Sequence, residues 1–177
     1  FNPEYEIYTR YSYSSNEKKG LSNPVVGRTI EDKDGNLWIG TEGGGLNYYN
    51  RRTREFKWYR PQEGRNSISH NNVKALYYDA DKEIIWIGTH LGGLNKLDIR
   101  SGHFTHYRME EGNPNTLPSD IIRDIIPYKS LLIIATQNGV CLFDPANGQC
   151  QQLFKDSKEG KSIKMVADVT FDSEGTL

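Results

Sequence analysis

The chain has 177 residues, a formal net charge of −1 at pH 7 and a sequence pI near 6.5. It is long enough to bury a core, and its balanced charge gives no electrostatic footing for nucleic acid. No apolar run approaches the roughly 18 residues of a membrane span. The wealth of Tyr, Trp, Gly and β-branched residues, without long Ala/Leu/Glu/Lys stretches, favours an all-β fold.

In chain order, the first residues "FNP" match "FDP" at Phe143, so 1–13 reads as the last strand of a preceding unit. A first four-stranded unit is expected over 25–60, a second over 73–108, a third over 121–154, and the start of a fourth over 166–177. The second shows the pattern best. Its strands fall at about Val73–Tyr78, Ile84–Thr89, Leu94–Asp98 and His103–Arg108, joined by turns near Asp81, at Gly92–Gly93 and at Ser101–Gly102.

The units repeat one phrase. "NLWIGTEGGGLNYYN" (Asn36–Asn50) returns as "IIWIGTHLGGLNKLD" (Ile84–Asp98), and a worn copy, "LLIIATQNGVCLFD", runs from Leu131 to Asp144. Thr41, Thr89 and Thr136 align at spacings of 48 and 47. A period in the forties fits four strands per unit. The second and third strands of a unit, such as "IIWIG", are apolar on both faces and belong in sheets covered on both sides. Four-stranded sheets stacked face to face around an axis meet that need, which is a β-propeller. Three blades do not close a ring, so the chain reads as about three and a half blades of a larger propeller, with closure by pairing with another copy as the alternative.

Gly43, Gly44, Gly45, Gly92, Gly93 and Gly139 then serve the turn between second and third strands, by positive φ and close backbone approach. A phosphate loop would need a helix after the glycines, and a strand follows instead. Trp38 and Trp86 read as packing between blades, and Ile133 stands at that place in the third unit.

"DKDGNLWIGTEGGGLNYYNRRTREFKWY" and "DKEIIWIGTHLGGLNKLDIRSGHFTHY" resemble the two-component regulator propeller repeat. The second copy departs at Lys82–Glu83, and the third lacks the Trp and one Gly, with Ile133 and Ala135 in their places. The resemblance implies a seven-bladed propeller, often paired with a second one in the same chain. It also implies a periplasmic sensor region of a hybrid histidine kinase. Such regions signal as a homodimer of ectodomains and commonly sense oligosaccharides released from glycans. Membrane contact and kinase activity would lie in other domains. The family has no catalytic residue set in the propeller.

Loops between blades and turns between second and third strands share one face of a propeller, the usual place for a ligand. Glu42, Arg65, His70, His90, Asn113 and Gln137 are the ligand-binding candidates there, offering paired donors and acceptors for hydroxyl groups. No cofactor or metal is expected. His103 and His106 point to opposite faces of a strand, and His70 with His90 lacks an evident third ligand. Asp32, Asp34, Asp79 and Asp81 lack the spacing of a calcium loop and suit turn-stabilising roles. Arg28, Asp124 and Asp168 occupy matching places in innermost strands.

Cys141 and Cys150 flank a turn at Asp144–Gly148. If Asp144 and Gln149 close it, Cys141 faces Gln152 and Cys150 faces Phe143, leaving the thiols diagonal; a disulfide and two buried thiols both stay open. The functional expectation is a sensor that binds an oligosaccharide without turning it over. A protein-binding scaffold and a metal-dependent propeller lyase using His70 or His90 remain as alternatives.

Overall fold

The computed structural model describes residues 10–153 and residue 170. Most of the strand expected within 1–13, and the fourth-blade start expected over 166–177 apart from Thr170, lie outside these residues. The described residues are all-β apart from a 3-10 turn at Glu17–Lys19. They form three four-stranded antiparallel sheets.

The first sheet comprises β1 (Val26–Glu31), β2 (Leu37–Thr41), β3 (Leu46–Asn50) and β4 (Glu55–Tyr59), in that order. The second comprises β5 (Val73–Asp79), β6 (Ile84–Thr89), β7 (Leu94–Asp98) and β8 (Phe104–Tyr107). The third comprises β9 (Ile122–Tyr128), β10 (Leu131–Thr136), β11 (Gly139–Phe143) and β12 (Cys150–Leu153). Strand β1 lies against β5, and β5 against β9. Each sheet thus begins at an inner strand and meanders outward, as propeller blades do.

Burial explains the stacking. Every residue of β6 is buried, so the second sheet needs cover on both faces. Trp38, Leu46, Val73, Leu76, Ile85 and Leu97 form the core between the first two blades. Trp86, Leu94, Ile122, Ile125, Ile134 and Phe143 form that between the second and third. Each such side chain contributes about 1.5–3 kcal/mol of burial. The glycine in "WIGT" sets how closely blades approach. A Cβ on Gly40 would stand 2.7 Å from Val73 Cγ1, and one on Gly88 would stand 2.5 Å from Ile122 Cγ2.

The aligned threonines have one task. Thr41 Oγ1 donates to the Gly45 carbonyl (2.8 Å), Thr89 Oγ1 to that of Gly93 (2.9 Å) and Thr136 Oγ1 to that of Gly139 (2.8 Å). All three threonines are fully buried. Gly93 sits at φ 70°, and a Cβ there would come within 2.3 Å of the Tyr107 carbonyl oxygen. Positive φ and steric room are needed together at this turn.

A second repeated device pins each incoming loop. Asn47 accepts from the Ser22 N–H and donates to Ser22 Oγ, both at 2.8 Å. Asn95 makes the same pair of bonds with Ser69, again at 2.8 Å. The third blade has lost both halves together: Pro118 has no N–H to give, and Cys141 replaces the Asn. Cys141 instead directs its thiol to Cys150, with Sγ–Sγ 3.2 Å and both thiols free. The register is the diagonal one, Cys141 opposite Gln152 and Phe143 opposite Cys150. The hydrogen bond to Cys150 and then burial push the Cys141 thiol pKa far up, so this thiol stays protonated.

The outer strands are not left bare. The Trp58 N–H donates to Glu17 Oε1 at 2.6 Å, and Trp58 Nε1 donates to the Gly20 carbonyl at 2.9 Å. The Phe104 N–H donates to Asn66 Oδ1 at 2.7 Å, while Asn66 Nδ2 donates to the Gly102 carbonyl at 2.9 Å. The Cys150 N–H donates to the Asn115 carbonyl at 2.8 Å. Each segment entering a blade thus lies along that blade's outer strand and covers an exposed edge.

The Asn–Ser clamp has a measurable cost of removal. Asn95→Ala strands the Ser69 N–H, while the Ser69 hydroxyl keeps its bond to the Gly92 carbonyl, and should cost about 1–3 kcal/mol. Chemical denaturation should show that loss, and thermal unfolding a drop of about 5–10 °C. An unchanged midpoint would mean the clamp adds no net stability.

Candidate functional site

Three candidates occupy equivalent positions, each directly after an aligned threonine. The Glu42 N–H donates to the Val25 carbonyl (3.0 Å), that of His90 to the Asn72 carbonyl (2.9 Å) and that of Gln137 to the Ile121 carbonyl (3.0 Å). Each bond joins a turn to the residue leading into the innermost strand of its own blade. Isolated bridges then cross to the next blade, from Glu42 to Asn72 and from His90 to Ile121. The repeat therefore sets Glu42, His90 and Gln137 along an arc on the inner rim.

The arc carries mixed charge. The Lys74 ammonium pairs with the Glu42 carboxylate. That bond, and to a lesser degree the positive potential of Lys74 and His90, holds the Glu42 carboxyl below its ordinary range. His70 Nδ1 accepts from the Asn72 N–H at 3.1 Å. Burial, then the nearby His90 and Arg108, depress the His70 pKa. His90 Nδ1 is buried with no hydrogen-bond partner among the described residues. Arg108 donates to the Leu91 carbonyl (2.9 Å) and to Asp120 Oδ2 (3.1 Å). Leu91 stands at the position of Gly43, at φ 75° and 56% exposed. A side chain is rarely held in that conformation, and the Arg108 bond to its carbonyl helps fix it.

Arg65 and Asn113 are carried elsewhere. Asn66 and Ser67 are fastened to the second blade's outer strand, through Gly102, Phe104 and His106. Exposed Arg65 stands on this run, bonded to Gln62 Oε1 at 3.4 Å. Asn113 caps its own loop through Glu110 and Asn115, and Asn115 is bonded to Cys150 at the third blade's outer strand. The structure brings Glu42, His70, His90 and Gln137 to the rim and places Arg65 and Asn113 along outer strands. The sequence reading missed Lys74 and Arg108; Lys74 lies on the innermost strand β5, whereas Arg108 directly follows the outer strand β8 and reaches the rim only through its bond to the Leu91 carbonyl. Tyr13 bridges to Leu21 in the leading segment.

Other charged groups have structural work. Asp32 Oδ1 accepts from the Asp34 and Asn36 N–H groups, and Asp32 Oδ2 from Trp38 Nε1 at 3.1 Å. Arg28 reaches across to the buried Asp124 at 3.0 Å. Among the described residues, no three His, Cys, Asp or Glu side chains converge to hold a metal ion.

The two component regulator propeller family matches this chain at residues 20–43 and 67–90. These two spans resemble two-component regulator propeller repeats. Each matched span ends in a rim turn, at Gly43 and His90. The extracellular domain of a protein described as the hybrid two component system BT3049 from B. thetaiotaomicron is 25% identical. It has a TM-score of 0.75, and the match covers 85% of this chain and 21% of that one. The extracellular domain of BT4673, from the same organism and described as a one component system, is 23% identical with a TM-score of 0.72, over 93% and 23% of the two chains. PorZ of Porphyromonas gingivalis, a surface component of the type-IX secretion system, is 18% identical with a TM-score of 0.66, over 97% and 26%. The last two share the fold. The chain spans about a fifth to a quarter of these structures. Comparison with curated proteins finds no match. Among the described residues, no helix is long and apolar enough to cross a membrane.

His70 makes stability depend on pH. With its folded pKa below the unfolded one, His70 binds fewer protons when folded. Its unfavourable contribution therefore grows as pH falls from the ordinary histidine value towards its folded value, and vanishes above. Protonation at Nδ1 would also end the bond from the Asn72 N–H. Thermal midpoints of wild type should fall between about pH 6.5 and pH 5 more steeply than those of His70→Asn. Parallel curves would exclude His70 as the source.

Proposed function

We propose that this segment is part of the extracytoplasmic sensor region of a hybrid two-component system and helps recognise an oligosaccharide released from a polysaccharide. The observation that carries the reading is the inner-rim arc of Glu42, His90 and Gln137, with Lys74, His70 and Arg108 around it. Such a row alternates donors and acceptors at a repeat-set interval, which suits the hydroxyl pairs of a sugar chain. The likeness to the BT3049 extracellular domain supports the sensor role. The location we infer is the periplasm. The site would be completed by further blades, or a second propeller, of the same protein.

The arc lies across seams between blades, so a ligand there touches more than one blade at once. Binding would favour one packing of a homodimer of ectodomains over another and bias a kinase in domains beyond this segment. The ligand shifts that equilibrium only by its difference in affinity for the two arrangements.

Calorimetric titration of the complete ectodomain against plant, host and microbial oligosaccharides tests this. Micromolar binding of one class is expected, with the sugar recovered intact. His90→Ala should weaken it by about tenfold, or roughly 1.4 kcal/mol, without lowering the unfolding temperature. Silence across the panel from folded protein would replace the reading with a protein-binding scaffold. A shortened sugar would replace it with an enzyme.

A further inference from the structure

The opposite face holds a cavity that the rim does not explain. It lies at the seam between the second and third blades, where the turns of the third blade overhang strands β6 and β7. Its volume is about 480 Å³, and Ile84, Trp86, Lys96, Leu131 and Pro145 line it. That volume falls within the usual range for small-molecule sites.

The equivalent place between the first two blades is filled. There Trp38 Nε1 donates to Asp32 Oδ2 at 3.1 Å, and the Tyr48 ring lies 4.7 Å from the Trp38 ring. The turn of the second blade closes the space with Glu83, which pairs with both Lys33 and Arg100. None of these contacts recurs at the next seam. By strand register Asp79 stands where Asp32 does, two residues past the partner of the tryptophan, but Asp79 is bonded to Lys82 and not to Trp86. Lys96 pairs with Trp86 across the strands, where Tyr48 pairs with Trp38. The turn shortens too: the second blade closes it between Asp79 and Ile84, the third between Tyr128 and Leu131.

The result is a lined pocket with unspent polar groups. Trp86 Nε1 has no hydrogen-bond partner among the described residues. It is also not fully sealed, because among the described residues the one fully buried, unpartnered side-chain nitrogen or oxygen is His90 Nδ1, on the opposite face. Trp86 is 1% exposed and lines the cavity. Lys96 makes no ion pair among the described residues, whereas Lys82, also at the cavity, is bound to Asp79 at 3.0 Å. An indole donor and a free ammonium beside apolar walls suit an anionic oxygen on a flat apolar body. Asp144, also at the cavity, opposes a second negative charge.

We propose that this cavity is a second ligand site, and that it binds a small monocarboxylate with an aromatic or branched apolar body. The carboxylate lies between Trp86 Nε1 and Lys96 Nζ, and the body rests on Ile84, Leu131 and Pro145. Because the occupant touches both blades, binding tightens the seam and raises the unfolding temperature.

Phenylacetate is the probe, with 2-phenylethanol as its neutral match, titrated into the complete ectodomain and read by tryptophan fluorescence and thermal shift. Phenylacetate should bind saturably below about 1 mM and about tenfold more tightly than the alcohol. Lys96→Tyr restores the ring found at the filled seam and should abolish binding. Lys96→Leu, the residue type that the third blade carries at this place as Leu142, should remove the preference for the acid while leaving the fold intact. Trp86→Phe should weaken binding several-fold. No saturation by about 10 mM would overturn the proposal. So would equal affinity for acid and alcohol, or binding that survives in Lys96→Tyr.

Discussion

Strands that are apolar on both faces govern this structure. β6 buries every residue, and β10 nearly so. Such strands have no solvent side, so each sheet requires a neighbour above and below. Stacking follows, and with it the demand for close approach that removes the side chain at Gly40 and Gly88. The packing force is nondirectional and does not select register. Register comes from polar groups placed once per repeat: the threonine that closes each turn, and the Asn–Ser clamp that pins two incoming loops.

The same stitching presents a row of differing side chains on the rim. The backbone bonds that hold the rim turns of Glu42, His90 and Gln137 to their own innermost strands also leave three variable side chains at equal intervals. Their positions are fixed by the repeat, while their chemistry is free to differ. An acid, an imidazole and an amide can follow one another without disturbing a backbone hydrogen bond. Specificity can therefore change on this rim at little cost to the fold.

Much of the fold was legible because its signal is local and repeated. The strands of the second unit, the turn glycines and the diagonal cysteines follow from alternation, spacing and hairpin register. The rim candidates Glu42, His90 and Gln137 were legible for the same reason, since each follows an aligned threonine. Arg65 and Asn113 were not. A loop's path depends on distant anchors, here the Asn66 side chain on Phe104 and the Asn115 carbonyl on Cys150. The clamp was also hidden: Ser69 and Asn95 lie 26 residues apart, and neither looks unusual alone. The open cavity under Trp86 came from three separate losses, none visible without its filled counterpart.

Pro118 and Cys141 give the structure an unequal seam. Where the first and second blades grip their incoming loops through a buried amide and serine, the third holds its loop without that grip. The space under Trp86 lies at the same seam. A stack of similar units breathes where its joints are weakest, since each unit answers mainly to its neighbours. Repetition thus sets the architecture, and the worn copy decides where it yields.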